Sequence, residues 1–263
     1  MKVTIDVRGA GEPLVLLHGL GASRSIWRRA APRLSRERLV LTPDLPGLGG
    51  SAPAGPGFDL GEVADALAGP LAERAGGSFD LLGTSLGGAV AVRLADAHPD
   101  LVRRLVLAAP AGFTPWPSPL AALGVGRVGG RVMAVRRIVG TRAPGSATVR
   151  RAILWGAVAE PARLSAGDAR AVFEASRGSE RIGAALTAVL RADLRPLLRS
   201  LEVPLGLIWG ERDRVVPVST LESLRALRPD AVVETIPDAA HIPQLERPVE
   251  FVAAVQRVLE RLS

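Results

Sequence analysis

The sequence predicts an α/β protein, in which a doubly wound, mostly parallel sheet carries an inserted helical cap. Three observations lead to this fold class. Short apolar runs of strand length alternate with helical patterns along most of the chain, and 48% of the 263 residues are hydrophobic, which supplies a sizeable core. The alternation stops between about residues 113 and 199. The length fits one large domain with a substantial insertion.

The predicted strands are short, and all but the first are continuous apolar runs. Val3–Val7 alternates between apolar and polar residues, which indicates an outer strand. Continuous apolar runs are typical of strands that helices cover on both faces, as in a parallel sheet. These runs are Leu14–Leu17, Leu39–Leu41, Phe79–Leu82, Leu105–Ala108 and Leu205–Trp209, and Ala231–Ile236 is also strand-like.

Helical patterns separate these runs and end the chain. In the last of them Phe251, Val252 and Val255 recur at helical spacing. Strand and helix in alternation favour a doubly wound sheet with right-handed crossovers. The clearest helical stretches are Leu60–Arg74, Leu86–Ala97, Thr220–Leu227 and Pro248–Leu262.

Residues 113–199, named the cap segment below, break the pattern. The segment opens with a proline cluster and continues with Ala- and Arg-rich helical patterns, without a convincing strand. We expect a helical cap inserted into a core made of residues 1–112 and 200–263.

Positive charge is concentrated in the same region. The chain carries a net charge of +7, and Lys2 is its only lysine. Residues 113–200 hold 14 arginines and five acidic residues, a net +9, whereas the rest of the chain holds 19 basic and 21 acidic residues, a net −2. Such asymmetry attracts acidic partners. Nucleic acid is disfavoured, because aromatic residues are only 3% of the chain and tyrosine is absent.

Composition also excludes several classes of site. The chain has no cysteine, so a disulfide scaffold, a thiol nucleophile and a thiolate metal site are ruled out, and three histidines leave little for a metal site. Neither a signal peptide nor an apolar run of about 18 residues is present. A cytoplasmic protein without a transmembrane segment is therefore expected.

A candidate nucleophile lies in Gly83-Thr84-Ser85-Leu86-Gly87, between a predicted strand and a predicted helix. This is the context that a G-x-S-x-G motif requires. A sharp strand-to-helix turn holds the serine in strained geometry, so the glycines two residues before and after it must lack a Cβ. The start of the helix also brings backbone N–H groups beside the hydroxyl.

A serine nucleophile needs a general base, and the chain offers three histidines. His98 ends the helix that Ser85 begins and should lie a helix length away, so a surface role is expected. His18 ends a buried strand, where a structural hydrogen bond is expected. His241 follows the strand-like stretch Ala231–Ile236 and is the candidate base.

The acid that orients the base should also follow a strand. Asp213 lies in the loop after Leu205–Trp209 and is the candidate. Glu211 on the same loop is the main rival, and Asp238 near the histidine is a weaker one. The chain order would then be serine, aspartate, histidine, which is the α/β-hydrolase order.

The sequence resembles the α/β-hydrolase fold family, as a carboxylesterase-like serine hydrolase with a helical cap. The resemblance covers nearly the whole chain. It implies an oxyanion hole formed by the backbone N–H groups of Leu20 and Leu86. Only one strand precedes His18-Gly19, where family members commonly have two, so a shorter sheet edge is expected. The matching motifs are His18-Gly19, the turn Pro43-Asp44-Leu45-Pro46-Gly47 with Ser51 beyond it, the elbow at Ser85, the Asp213 loop and the stretch from His241 to Pro248.

The resemblance implies hydrolysis of carboxylic esters through an acyl-enzyme intermediate, without a metal or organic cofactor. Serine at position 85 disfavours epoxide and halide chemistry, in which relatives use an aspartate. Carbon–carbon bond hydrolases of ring-cleavage products usually carry Trp after the histidine, where this chain has Ile242. Cofactor-free haloperoxidases or perhydrolases, acyltransferases and a non-enzymatic small-molecule receptor are further alternatives on the same fold.

The basic cap segment suggests a sharper alternative. Esterases that cleave methyl esters of acyl chains on an acyl carrier protein must dock an acidic partner. Arginines of the cap segment would suit that task by steering and by pairing with phosphate. A solvated helix face is the competing interpretation. The arginines concerned are Arg131, Arg136, Arg137, Arg150 and Arg151.

Overall fold

Seven strands form one sheet in the computed structural model, which describes residues 1–113, 146–154, 156–174 and 181–263. In spatial order the strands are β1-β3-β2-β4-β5-β6-β7. The last six strands along the chain run parallel to one another, and β1 pairs antiparallel with β3 at one edge. The predicted mostly parallel sheet is therefore confirmed. The strands are β1 (Ile5–Arg8), β2 (Glu12–Leu17), β3 (Arg38–Pro43), β4 (Phe79–Thr84), β5 (Val102–Ala108), β6 (Leu205–Gly210) and β7 (Val232–Ile236).

Helices cover both faces of this sheet. The described ones are α1 (Ala31–Leu34), α2 (Leu60–Ala75), α3 (Leu86–Ala97), α4 (Ala147–Ile153), α5 (Ala166–Glu174), α6 (Ile182–Arg191), α7 (Arg195–Ser200), α8 (Val218–Leu227), α9 (Pro243–Glu246) and α10 (Pro248–Arg261). Short 3₁₀ turns occur at Arg24–Trp27, Pro99–Leu101 and Pro161–Arg163. None of the helices in the described ranges has both the length and the apolarity needed to cross a bilayer.

The central strands are mostly apolar because helices cover both faces of the sheet. Along β2, Val15 and Leu17 pack in one core cluster with α2, α3 and α8. Leu14 and Leu16 pack in the other, with α1 and α10. Alternate side chains of a strand point to opposite faces, so a continuous apolar run supplies both cores.

The edge strand β1 lies later in the chain than the predicted Val3–Val7. Its range follows from pairing with β3, where Ile5 is opposite Pro43 and Arg8 is opposite Val40. The N–H of Thr4 instead donates to Ser51 Oγ at 2.9 Å. Two strands, β1 and β2, precede His18-Gly19, so the prediction of a single strand before that motif is wrong.

The described parts of the cap segment contain helices α4, α5 and α6, and a buried aspartate of α5 contacts two arginines of the core. Asp168 of α5 is fully buried, and its carboxylate contacts Arg28 Nη1 at 2.7 Å and Arg29 Nε at 3.0 Å. Arg131, Arg136 and Arg137 lie outside the described residues. The boundaries 113–199 stay a prediction.

A second buried carboxylate lies at the amino end of the parallel strands. Asp80, the second residue of β4, has no exposed side-chain surface. Arg38 Nη1 donates to its Oδ2 at 2.6 Å, and Arg104 binds both carboxylate oxygens, at 2.8 and 2.7 Å. Arg103 Nε lies 3.5 Å from Oδ1. Asp80 thus holds the starts of β3, β4 and β5 together.

Replacing Asp80 with asparagine is expected to lower the free energy of unfolding by about 3 kcal/mol, because the arginines around it lose their counter-charge. Urea denaturation followed by circular dichroism measures the change. Asp100→Asn is the matched control, because Asp100 is exposed. Equal unfolding midpoints for the two variants would contradict the prediction.

Candidate active site

The three candidate catalytic residues follow the carboxyl ends of parallel strands. Ser85 comes directly after β4, Asp213 follows β6, and His241 follows β7. Parallel strands end at the same edge of their sheet, so all three residues lie at one edge. Open α/β sheets bind ligands at this edge.

Ser85 occupies a strained turn between β4 and α3. Its φ of 53° and ψ of −119° lie outside the regions that residues with a side chain usually adopt. Surrounding hydrogen bonds hold the turn: Ser85 N donates to Ala108 O at 3.1 Å, and Ser85 O accepts from Gly88 N at 2.9 Å and Ala111 N at 3.0 Å. This geometry is that of the predicted elbow.

The flanking glycines are required by two different neighbours. A Cβ on Gly83 would lie 2.8 Å from Gly88 Cα, so it would collide with the start of α3. A Cβ on Gly87 would instead lie 2.6 Å from His18 O, at the end of β2. The contact at Gly83 agrees with the prediction that a Cβ there would collide within the sharp strand-to-helix turn. The contact at Gly87 shows that α3 packs directly against the loop after β2.

That loop brings candidate oxyanion donors beside the serine. A Cβ on Gly19 would lie 3.1 Å from Ser85 Cβ and 3.7 Å from Ser85 Oγ, so only a slim residue fits there. The amide N–H groups of Leu20 and Leu86 have no acceptor within the described ranges. Leu86 opens α3, where backbone N–H groups lack intrahelical partners.

His18 shapes the same loop from the interior. Its side chain is fully buried. Nε2 accepts from Leu45 N at 3.0 Å, so Nδ1 carries the proton and donates to Gly19 O at 2.9 Å. Burial lowers the pKa of His18, and the imidazole stays neutral. It therefore fixes the Gly19 carbonyl.

Asp213 and His241 form a buried pair. His241 Nδ1 lies 2.8 Å from Asp213 Oδ2, and the side chains are 11% and 0% exposed. Asp213 Oδ1 accepts from Val215 N at 2.8 Å and from Val216 N at 3.0 Å. Because these two backbone N–H groups bind Oδ1, the carboxylate is held with Oδ2 directed toward the imidazole of His241. This arrangement leaves Nε2 as the ring nitrogen for proton transfer.

The rival carboxylates have other partners. Glu211 accepts from Thr235 Oγ1 at 3.1 Å, and Asp238 pairs with Arg212. The two loops are joined through the backbone, because Arg212 N donates to Ala239 O at 2.9 Å. Asp213 is thus the candidate that contacts His241.

Among the described residues, the structure shows no direct hydrogen bond between the Ser85 hydroxyl and the imidazole of His241. Catalytic hydrogen bonds are often long in the absence of substrate and tighten when it binds. His98 lies elsewhere: it ends α3, and its Nε2 is 2.8 Å from Asp65 Oδ1 of α2.

The sequence reasoning missed Glu246, whose carboxylate lies beside the His241 loop. It accepts from Ala159 N at 2.7 Å, Ile242 N at 3.2 Å and Ala240 N at 3.2 Å. Burial raises the pKa of Glu246, although the three donors and His241 oppose that rise. No local motif signals this role, because one of the donors comes from the distant cap segment.

Within the described residues, no group of three or more His, Asp or Glu side chains is arranged to hold a metal ion. The candidate site consists of a hydroxyl, an imidazole, a carboxylate and backbone N–H donors, which are the groups that acyl transfer through serine uses.

Comparison with known proteins gives consistent matches. A family model described as alpha/beta hydrolase fold matches residues 12–248. The pimeloyl-[acyl-carrier protein] methyl ester esterase of Chromobacterium violaceum is 31% identical, and the match covers 99% of both chains. The protein of the same name from Aromatoleum aromaticum is 32% identical over 94% of this chain and 97% of its own.

A solved structure agrees with these relatives. The thermophilic esterase of Thermogutta terrifontis, with malate bound, is 26% identical and superposes with a TM-score of 0.78. The superposition covers 99% of this chain and 93% of the esterase.

Proposed function

Because the chain belongs to the α/β-hydrolase fold family and is a carboxylic ester hydrolase, we propose that it works as a serine esterase. In this proposal Ser85 is the nucleophile, His241 the general base and Asp213 the residue that orients His241. The observation that carries it is the 2.8 Å contact between His241 Nδ1 and the buried Asp213, at the sheet edge where Ser85 lies.

The first half-reaction acylates the serine. His241 Nε2 takes the proton of Ser85 Oγ, and Oγ attacks the ester carbonyl carbon. The N–H groups of Leu20 and Leu86 stabilise the oxyanion that develops, an effect worth several kcal/mol in such sites. His241 then gives its proton to the alkoxy oxygen as the carbon–oxygen bond breaks, and the alcohol leaves.

The second half-reaction releases the acid. His241 takes a proton from water, the hydroxide oxygen attacks the acyl carbon, and the same backbone donors hold the second oxyanion. Collapse of this intermediate breaks the bond to Ser85 Oγ, which recovers its proton from His241. Asp213 stabilises the imidazolium in both halves and stays ionised.

The proposed substrate is a methyl ester of an acyl chain carried by an acyl carrier protein. Two observations support it: the esterases that resemble this chain along their full length are named for such a substrate, and the cap segment is rich in arginine. Arg151 of α4 and Arg191 of α6 are exposed. In this proposal the exposed arginines of the cap segment attract an acidic carrier and pair with the phosphate of its prosthetic arm.

Comparison of carrier-bound and free pimeloyl methyl ester across ionic strength tests the substrate. We expect kcat/KM for the carrier-bound ester to fall about tenfold from low to high salt, because screening weakens steering, while the free ester changes little. Arg151→Glu should lower kcat/KM for the carrier-bound ester only. Arg36→Glu is the matched control, because Arg36 is exposed and precedes β3 at the opposite edge of the sheet.

Equal and salt-independent turnover of the two esters would contradict carrier docking while leaving ester hydrolysis intact. Absence of turnover with both esters, together with no fluorophosphonate labelling of Ser85, would contradict the proposed catalytic mechanism.

A further inference from the structure

Three consecutive backbone amides around His241 are each held by a hydrogen bond. Ala240 N and Ile242 N donate to the carboxylate of Glu246, at 3.2 Å in each case. Between them, His241 N donates to Ala157 O of the cap segment at 3.1 Å. The peptide units on both sides of the histidine are therefore fixed by groups outside the loop.

Glu246 binds two segments of the chain, the His241 loop and the cap segment. Its Oε2 accepts from Ala159 N in the cap segment at 2.7 Å, and its own backbone N–H donates to Ile242 O at 3.1 Å. A mostly buried carboxylate is costly to leave without donors, so the cap segment and the His241 loop are both held where their N–H groups reach it.

We propose that Glu246 is a positioning residue for catalysis, whose carboxylate fixes the His241 backbone and couples it to the cap segment at Ala159. This inference rests on the proposed role of His241. Glu246 does not touch substrate in this proposal. It acts through the orientation of the imidazole, where small displacements are costly for proton transfer.

The test compares Glu246→Gln and Glu246→Asp with the wild type, using p-nitrophenyl butyrate. We expect Glu246→Gln to lower kcat about 10- to 100-fold with little change in KM. Glu246→Asp keeps the charge but is one methylene shorter, so it should lower kcat as well. Glu250→Gln is the matched control, because Glu250 is exposed on α10.

Hydrogen exchange in the wild-type protein provides a readout that needs no variant. The amides of Ala240 and Ile242 should be protected, and rapid exchange of both would overturn the proposal. A Glu246→Gln protein with wild-type kcat would overturn it as well. Wild-type turnover in a His241→Ala variant would overturn the proposed catalytic role of His241, and this inference with it.

Discussion

Replacing Ser85 with alanine is expected to lower kcat for p-nitrophenyl butyrate by about 10³-fold or more, because the acyl-enzyme can no longer form. The fold should be unchanged, since the strained turn is held by backbone hydrogen bonds of Ser85 rather than by its hydroxyl. Labelling by a fluorophosphonate probe, followed by mass spectrometry, should be lost at the same time.

Ser223→Ala is the matched control for this change. Ser223 is exposed on α8, and its hydroxyl donates only to Ser219 O of the same helix, at 3.1 Å. It should keep wild-type turnover and labelling. A Ser85→Ala protein that still hydrolyses the ester at the wild-type rate would show that another residue is the nucleophile.

Replacing Asp213 with asparagine should lower kcat by about 10²- to 10⁴-fold, because the amide no longer fixes the imidazole tautomer or stabilises its charge. The asparagine can still accept from Val215 N and Val216 N, so the loop should keep its shape. Steady-state kinetics with p-nitrophenyl butyrate measure the loss, and circular dichroism checks the fold.

Glu211→Gln is the matched control, since Glu211 lies two residues away and binds Thr235 rather than His241. It should change kcat little. A greater loss of kcat in Glu211→Gln than in Asp213→Asn would show that Glu211, and not Asp213, orients His241.

The fold was predictable where a short stretch of chain carries its own signal. A strand buried on both faces is mostly apolar, so β4 and β6 were visible as short apolar runs, with Asp80 as the exception in β4, and α3 was predicted at its observed bounds. The start of β5 was not predicted correctly. The prediction begins at Leu105, whereas the strand begins at Val102, because Arg103 and Arg104 reach the buried Asp80 of the neighbouring strand.

In the candidate site, too, residues marked by a local pattern were predicted, and residues that depend on distant partners were not. The elbow at Ser85 and the loop of Asp213 follow predicted strands, so local pattern and motif spacing were sufficient to nominate them. Glu246 and Asp168 were not nominated, because their roles depend on partners far along the chain: Ala159 for Glu246, and Arg28 and Arg29 for Asp168. A single sequence does not display such long-range pairing of buried carboxylates.

The anchorage of Asp168 sets the splice points for chimaeras that aim to transfer substrate preference between relatives. A graft that ends by residue 145 keeps Asp168 with its native arginine partners. A graft that extends through α5 places a foreign side chain between Arg28 and Arg29, and it would need those two positions from the same donor protein. When segments of this enzyme are exchanged with those of a relative, both residues of each ion pair should therefore come from the same parent protein.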